Sequence, residues 1–216
     1  MLLENERKKV IEIALEVQKQ RLVALTFGNF SVRDAKTGYI CVTPSGMKYE
    51  ELVPDDIVVV DENCNIIDGK RKPSIEAGMH CSVYRKRADV NGIVHTHSPW
   101  ATAWACCNQE IPCILAELAG LVGGPVRCAP YRPMGTNELA EVTAESLKND
   151  DAILMAKHGA LSVGANIDIA LNNAIVVEEA AKIAIGAKII GNISPLSDEV
   201  CKEARQSIIE KYGQKK

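Results

Sequence analysis

The fold is decided by one stretch of the sequence, NFSVRDAKTGYICVT, residues 29–43. It holds two runs of β-type residues, 29–33 and 39–43, and between them a polar segment that ends in Lys36-Thr37-Gly38. A short polar connection with glycine between two such runs is typical of a β-hairpin. The stretch therefore predicts two neighbouring antiparallel strands.

Further strands and helices are predicted on either side of this hairpin. Apolar runs predict strands at 57–60, 65–67, 92–97, 126–129, 152–156 and 160–163. Helical spacing or composition predicts helices at 5–22, 76–87, 100–107, 116–122, 137–147 and 167–190, and a final amphipathic segment at 197–212. Ser74 is the expected N-cap of the helix at 76–87.

Hairpins mixed with helices favour an α+β arrangement within the α/β class: one central, mostly antiparallel sheet with helices on both faces. A chain of 216 residues fits one domain. We expect a single domain over 1–216, with 197–216 as a C-terminal helical tail.

Composition narrows the classes of function. The net charge of −3 argues against a nucleic-acid partner, which needs clustered Lys and Arg. The eight cysteines include no CxxC pair, the first ten residues are charged, and no segment is apolar enough to span a bilayer. These features predict free, buried thiols and a soluble cytoplasmic protein without a membrane partner.

Three of the four histidines suit a metal site. His95 and His97 alternate along the predicted strand at 92–97, so both project from one face. His158 stands before Gly159, where the strand at 152–156 turns back. Either feature alone also fits a protein without a metal. Together they offer the neutral nitrogen donors that zinc prefers, with a fourth position free.

Glu76 is the candidate for that fourth position. A carboxylate that leaves the metal when substrate arrives can act as a general base. Acidic residues also occur in first helical turns simply because they complement the helix dipole. His80 follows four residues later, on the same helical face, and is interpreted as a histidine that supports or packs behind the site rather than a ligand.

Two segments have the composition of anion-binding loops, 26–31 and 43–46. Each places glycine beside Ser, Thr or Asn, which allows close backbone approach and short hydrogen-bond donors. Both sequences are also common in ordinary turns. Ser74 could add a further hydroxyl.

At this point the chain resembles a known family, the class II aldolase/adducin superfamily, and within it the branch of L-fuculose-1-phosphate aldolase and L-ribulose-5-phosphate 4-epimerase. The resemblance covers nearly the whole chain. The motifs that carry it are Gly28-Asn29-Phe30-Ser31, Thr43-Pro44-Ser45-Gly46, Lys72-Pro73-Ser74-Ile75-Glu76, Val94-His95-Thr96-His97-Ser98, Ala129-Pro130-Tyr131, Met134-Gly135-Thr136 and Lys157-His158-Gly159.

The resemblance implies one Zn²⁺ per subunit, with Mn²⁺ or Co²⁺ as alternatives, and a homotetramer with active sites between subunits. The implied metal ligands are Glu76, His95, His97 and His158, with Glu76 also the catalytic acid/base. The implied phosphate-binding residues are Gly28, Asn29, Ser45, Gly46 and Ser74.

The implied activity is that of a metal-dependent aldehyde-lyase. It would cleave a ketose 1-phosphate, such as L-fuculose 1-phosphate or a related deoxypentulose phosphate, to dihydroxyacetone phosphate and an aldehyde through a metal-stabilised enediolate. An epimerase or sugar-phosphate dehydratase of the same superfamily is the alternative. An adducin-like interaction domain without catalysis is the alternative from another class. Cupins and HxHxDH hydrolases fit less well, because Glu76 precedes the HxH pair and Ser98-Pro99 follows it.

The sequence departs from the fuculose-phosphate aldolase pattern at several positions. Ile75 stands in place of a second serine, and Met134 in place of an aromatic residue. Ala116 stands where those enzymes carry a catalytic tyrosine, and the neighbouring Glu117 is an alternative acid/base or a plain surface residue. Tyr212 is a candidate for an interface tyrosine in the tail.

Overall fold

A computed structural model describes residues 1–211, 213 and 214 of the chain. Within these residues, eight strands form one sheet with the order β4-β3-β2-β1-β5-β8-β7-β6. The strands are β1 Gly28–Arg33, β2 Ile40–Val42, β3 Val58–Val60, β4 Ile66–Asp68, β5 Gly92–Thr96, β6 Cys128–Ala129, β7 Ala152–Met155 and β8 Gly159–Gly164. Neighbouring strands are antiparallel except β6 and β7, which are parallel. The predicted mostly antiparallel sheet is confirmed.

The described helices are α1 Glu4–Lys19, α2 Ala77–Lys86, α3 Pro99–Cys106, α4 Ala116–Leu121, α5 Asn137–Leu147, α6 Ile167–Ile190 and α7 Asp198–Lys211. They cover both faces of the sheet, as predicted. None of the helices in this described part of the chain combines the length and the apolar character needed to cross a membrane.

Strand β5 shows how the two faces are filled. Ile93 packs in a buried cluster with residues of α2 and α5, whereas Val94 packs in another with residues of α1 and α6. Because side chains alternate along a strand, His95 shares the α2 face with Ile93. In β1, which pairs with β5, Phe30 belongs to the opposite core, so Asn29 and Ser31 also face α2.

The hairpin predicted at residues 29–43 is present, and Ser31 of β1 pairs with Val42 of β2. In its turn Gly38 has a φ of +75°, which favours glycine, and the Asp34 carboxylate accepts hydrogen bonds from the amide and hydroxyl of Thr37.

Several predicted boundaries were wrong. Helix α2 begins at Ala77, and Glu76 rather than Ser74 occupies its N-cap position. The reason is that the Ser74 amide is bonded to the carbonyl oxygen of Thr43, which keeps this segment extended. Strand β5 ends at Thr96, so His97 follows it.

Other corrections concern β6 and two cysteines. The predicted strand at 126–129 shrinks to two residues, although Val126 still forms an isolated bridge with Ile111. All eight cysteines are free, as predicted, but Cys106 and Cys107 are exposed because α3 ends at the surface.

The C-terminal helix α7 packs against α4: the chain around Gly120 contacts Ile208, and the Arg205 guanidinium binds the carbonyl oxygen of Leu121. The division into one domain over 1–216 with a tail at 197–216 stays a prediction. Tyr212 lies outside the described residues.

Candidate metal centre and active site

Two ring nitrogens approach each other at the end of β5. His95 is fully buried, and its Nδ1 lies 2.9 Å from the carbonyl oxygen of Ala160 on β8. A carbonyl only accepts, so Nδ1 carries a proton, and in the neutral ring that a metal needs Nε2 would present a lone pair. The Nε2 atom of His97 lies 3.1 Å from this atom.

His158 is delivered by the turn between β7 and β8. Lys157 adopts a left-handed φ of +59°, and the His158 amide donates to the carbonyl oxygen of Met155 at 3.0 Å. Gly159 follows, and a Cβ there would lie 2.3 Å from the Thr96 carbonyl oxygen. The absence of a side chain at 159 therefore lets the turn approach β5, which brings His158 beside His95 and His97.

Glu76 completes the cluster from the start of α2. Its Oε2 lies 3.2 Å from His95 Nε2 and accepts a hydrogen bond from Asn29 Nδ2 at 2.9 Å. Its Oε1 lies 3.2 Å from His158 Nε2. One ligand atom from each of Glu76, His95, His97 and His158 lies within 4.8 Å of the others.

This donor set fits a divalent cation. His95 Nε2 faces both a carboxylate oxygen and another imidazole nitrogen, and with His95 neutral these electron pairs repel unless a cation lies between them. Glu76 Oε1 and both ring nitrogens of His158 are buried without a hydrogen-bond partner in the described part of the chain. Buried polar atoms are normally satisfied, and a shared ion would satisfy Glu76 Oε1 and one nitrogen of His158.

The surroundings keep Glu76, His97 and His158 in the protonation state that a metal needs. Burial lowers the pKa of His97 to about 3 and that of His158 to about 4, and His95 adds to both shifts. Burial alone would raise the pKa of Glu76, but His95, His158 and the Asn29 amide outweigh it and hold the pKa well below its usual value. At neutral pH the carboxylate is therefore ionised and His97 and His158 are neutral.

A cavity of about 220 Å³ opens beside the cluster, and Glu76 and His97 form part of its wall. All five predicted phosphate-binding residues line it: Gly28, Asn29, Ser45, Gly46 and Ser74. The exposed apolar side chains of Phe27, Ile75 and Met134 line it as well. The Phe27 ring stacks on His97 with centroids 6.0 Å apart. The cavity thus combines short polar donors, an apolar rim and two residues of the candidate metal cluster.

Comparison with known proteins identifies the family. The model of the family described as "Class II Aldolase and Adducin N-terminal domain" matches residues 8–185. The chain belongs to the class II aldolase and adducin family.

Two class II aldolases are similar to this chain over nearly the whole length of both proteins. A 5-deoxy-D-ribulose 1-phosphate aldolase from Bacillus thuringiensis serovar kurstaki is 36% identical over 214 residues, which cover 99% of this chain and 100% of the relative. A solved L-fuculose 1-phosphate aldolase superposes with a TM-score of 0.93 at 34% identity, over 97% of this chain and 98% of that one.

An L-fuculose-1-phosphate aldolase from Thermus thermophilus superposes with a TM-score of 0.74 at 28% identity, over 87% of this chain and 97% of that one. The predicted family, the predicted fold and the predicted class of enzyme, an aldehyde-lyase of class II, are confirmed.

Glu117 is not among the residues that line the cavity within one chain of this class II aldolase. It is exposed in the first turn of α4, the helix that packs against α7. Two residues behind the site, Ser31 and Tyr84, were not predicted from the sequence. Ser31 bonds to His80, and Tyr84 follows His80 by four residues on α2. The spacing of four residues between His80 and Tyr84 places both side chains on one face of the helix, and this pattern could have identified Tyr84.

Proposed function

We propose that this protein is a zinc-dependent aldolase that cleaves a ketose 1-phosphate to dihydroxyacetone phosphate and an aldehyde. The observation that carries the proposal is the convergence of three imidazoles and one buried carboxylate at the wall of a cavity rich in short hydrogen-bond donors. Ring nitrogens with one carboxylate suit zinc better than they suit magnesium or calcium. Mn²⁺ and Co²⁺ are the alternatives to be tested.

His95, His97, His158 and Glu76 would hold the metal. When bound, the ion supplies a Lewis acid that stabilises negative charge on the substrate's carbonyl and hydroxyl oxygens. Analysis of the reaction products distinguishes this aldolase from the two alternatives within the family, an epimerase and a dehydratase.

Glu76 is the proposed acid/base. Cleavage between C3 and C4 of the ketose removes a proton from the C4 hydroxyl, passes the bonding electrons to the carbonyl, and returns a proton to C3. Oε2 of Glu76 is engaged by Asn29, whereas Oε1 has no hydrogen-bond partner among the described residues. Oε1 lies beside His158 Nε2, and once substrate displaces it from the metal it would be the atom that holds and releases a proton.

Substrate phosphate would lie against Gly28, Asn29, Ser45, Gly46 and Ser74. Gly46 has a φ of +69°, and an ideal Cβ at this position would meet no atom of the described residues within 4 Å, so its backbone is open to a ligand. Neutral hydroxyls and backbone amides of this kind bind phosphate in other proteins.

We propose a 5-deoxypentulose 1-phosphate as the substrate, with L-fuculose 1-phosphate as the second candidate. The 36% identity to the 5-deoxy-D-ribulose 1-phosphate aldolase over both whole chains supports the first. The apolar rim of Phe27, Ile75 and Met134 supports both, because a terminal methyl group is placed more favourably there than a hydroxyl.

The test is a panel of ketose 1-phosphates assayed for dihydroxyacetone phosphate with the purified, the chelator-treated and the zinc-restored protein. We expect the protein to release dihydroxyacetone phosphate from the 5-deoxypentulose 1-phosphate. Treatment with the chelator should abolish this activity, and zinc should restore it. Conversion of L-ribulose 5-phosphate to its C4 epimer, with no triose phosphate released, would identify an epimerase instead. A protein without stoichiometric metal would be the noncatalytic, adducin-like domain.

We also propose a homotetramer with active sites between subunits. In that assembly the exposed Glu117 would serve the site of a neighbouring subunit rather than its own. Light scattering measures the assembly, and mixing tests the shared site. Glu76→Gln and Glu117→Gln chains, each inactive alone, should regain activity when co-assembled. A monomer, or full activity in Glu117→Gln, would remove Glu117 from the mechanism.

A further inference from the structure

Four buried side chains form a hydrogen-bonded chain that ends on Glu76. Tyr84 and Ser31 hydroxyls lie 2.9 Å apart, and Ser31 Oγ lies 2.6 Å from His80 Nδ1. His80 Nε2 lies 2.6 Å from Asn29 Oδ1, and Asn29 Nδ2 lies 2.9 Å from Glu76 Oε2. Ser31 and His80 are fully buried, and Asn29 is 4% exposed.

The direction of each bond follows from the last acceptor. An ionised Glu76 only accepts, so Asn29 must turn its N–H toward it and its carbonyl oxygen toward His80. That carbonyl also only accepts, so His80 Nε2 must carry a proton. The second nitrogen of a neutral ring, Nδ1, then carries no proton and accepts a hydrogen bond from the Ser31 hydroxyl. The His80 side chain is fully buried, and burial lowers its pKa to about 3, so the ring is neutral.

Packing alone does not fix the Asn29 amide. Its nitrogen and oxygen are almost equal in size, so the two flipped orientations fill the same space. In the flipped orientation Asn29 Oδ1 would face Glu76 Oε2, and two acceptors would repel. Glu76 Oε2 and the Nε2–H of His80 therefore both favour the observed orientation, and His80 holds the end of the amide that faces away from Glu76.

We propose that His80, as its Nε2–H tautomer with Ser31 donating to Nδ1, is a positioning residue that locks the Asn29 amide and so holds Glu76 Oε2, leaving Oε1 to act in the reaction. The role given to His80 rests on the proposed function, because it acts through the acid/base assigned there. His80 itself is not among the described residues that line the cavity.

The first test reads the tautomer without any activity assay. The zinc-loaded protein is labelled with ¹⁵N-histidine, and long-range ¹H–¹⁵N spectra assign the four rings with the help of a His80→Gln variant. We expect His80 to carry its proton on Nε2 from pH 6 to 8. A proton on Nδ1, or on both nitrogens, would overturn the proposal.

The second test separates positioning from simple stability. His80→Leu removes the donor to Asn29, and His80→Gln places an amide N–H near the Nε2 position. Ser82→Ala is the matched control, since Ser82 is also fully buried on α2 but bonds to Glu141, outside the chain of hydrogen bonds.

We expect His80→Leu to keep one zinc per subunit and to lose kcat by about 10- to 100-fold with KM changed less than about 3-fold, the range typical of residues that orient ligands. His80→Gln should recover most of kcat, and Ser82→Ala should match the wild type. Equal kcat in His80→Leu and wild type would overturn the proposal, as would equal loss in His80→Leu and His80→Gln.

The tautomer measurement decides the outcome if His80→Leu does not fold. If the wild-type protein cleaves no ketose phosphate, both the proposed function and the kinetic role of His80 are contradicted. The ¹H–¹⁵N spectra would still test the direction of the hydrogen bonds independently of activity.

Discussion

His95 Nε2 and His97 Nε2 lie 3.1 Å apart, and the other nitrogen of His95 donates to the Ala160 carbonyl oxygen. Two imidazoles face each other this closely only with a proton or a metal between them. Glu76 on one side and His158 on the other make a metal the better fit, since both add electron pairs directed at the same point.

Replacing His97 by alanine should remove both metal and turnover. A three-coordinate remainder of His95, His158 and Glu76 loses a ligand and its rigid geometry, so we expect less than about 0.1 zinc per subunit and a rate reduced at least ~100-fold. Elemental analysis after dialysis and the coupled triose-phosphate assay measure the two effects. Cys106→Ser, exposed at the end of α3, is the control and should keep full metal. Stoichiometric zinc in His97→Ala would refute the ligand role.

Glu76→Gln keeps the shape of the side chain and removes its charge. We expect kcat to fall by roughly 10²- to 10⁴-fold, the range for a missing acid/base, while the circular dichroism spectrum stays that of the wild type. Zinc binding should also weaken because an anionic ligand is lost. Full activity in Glu76→Gln would show that another group moves the proton.

Gly159→Ala tests the close approach that delivers His158. Its Cβ would lie 2.3 Å from a backbone oxygen and 3.2 Å from His97 Cδ2, so backbone must move. We expect a loss of about 1–3 kcal/mol in the free energy of unfolding, as for other overpacked sites, together with weaker zinc binding.

The matched control is Gly186→Ala in the interior of α6, where an added Cβ meets no atom within 4 Å in the part of the chain that the structure describes. Because alanine is the better helix former, this variant should gain about 0.5–1 kcal/mol. Both free energies come from urea denaturation of the metal-free proteins. A neutral Gly159→Ala variant would contradict the described turn.

The metal-free protein should lose stability as the pH falls below about 6.5. Burial lowers the pKa of His80 and of His97 to about 3 in the folded state, so between pH 6.5 and 3 the unfolded chain binds protons that the folded chain does not. The free energy of unfolding then decreases as pH falls, by at most about 1.4 kcal/mol per pH unit for each histidine.

Denaturation midpoints at several pH values between 4.5 and 7 measure this slope. His80→Gln should reduce it by about one proton, because the variant lacks one of the buried rings. An unchanged slope in His80→Gln would mean that His80 titrates normally in the folded protein.

Local patterns predicted much of the fold. Helices α5 and α6 were predicted to the residue, since each begins at a side-chain cap: Thr136 accepts from the amide of Leu139, and Asn166 from that of Ile169. The start of α2 was missed because it depends on a long-range bond between the Ser74 amide and Thr43.

The same division holds for the candidate site. Alternation along β5 placed His95 and His97 on one face, which needs only local geometry. The bond between Ser31 and His80 joins residues 49 positions apart, and such pairing of β1 with α2 appears only in three dimensions. The sequence shows which hydrogen-bonding residue types are present, whereas only the fold shows which atoms they bond to.

An X-ray anomalous-scattering experiment at the zinc edge, on crystals of the zinc-loaded protein, tests the central claim most directly. We predict one strong peak per subunit, about 2.0–2.2 Å from a ring nitrogen of each of His95, His97 and His158 and from a carboxylate oxygen of Glu76. A peak elsewhere, or none at this cluster, would contradict the claim that these four residues form the metal site of the enzyme.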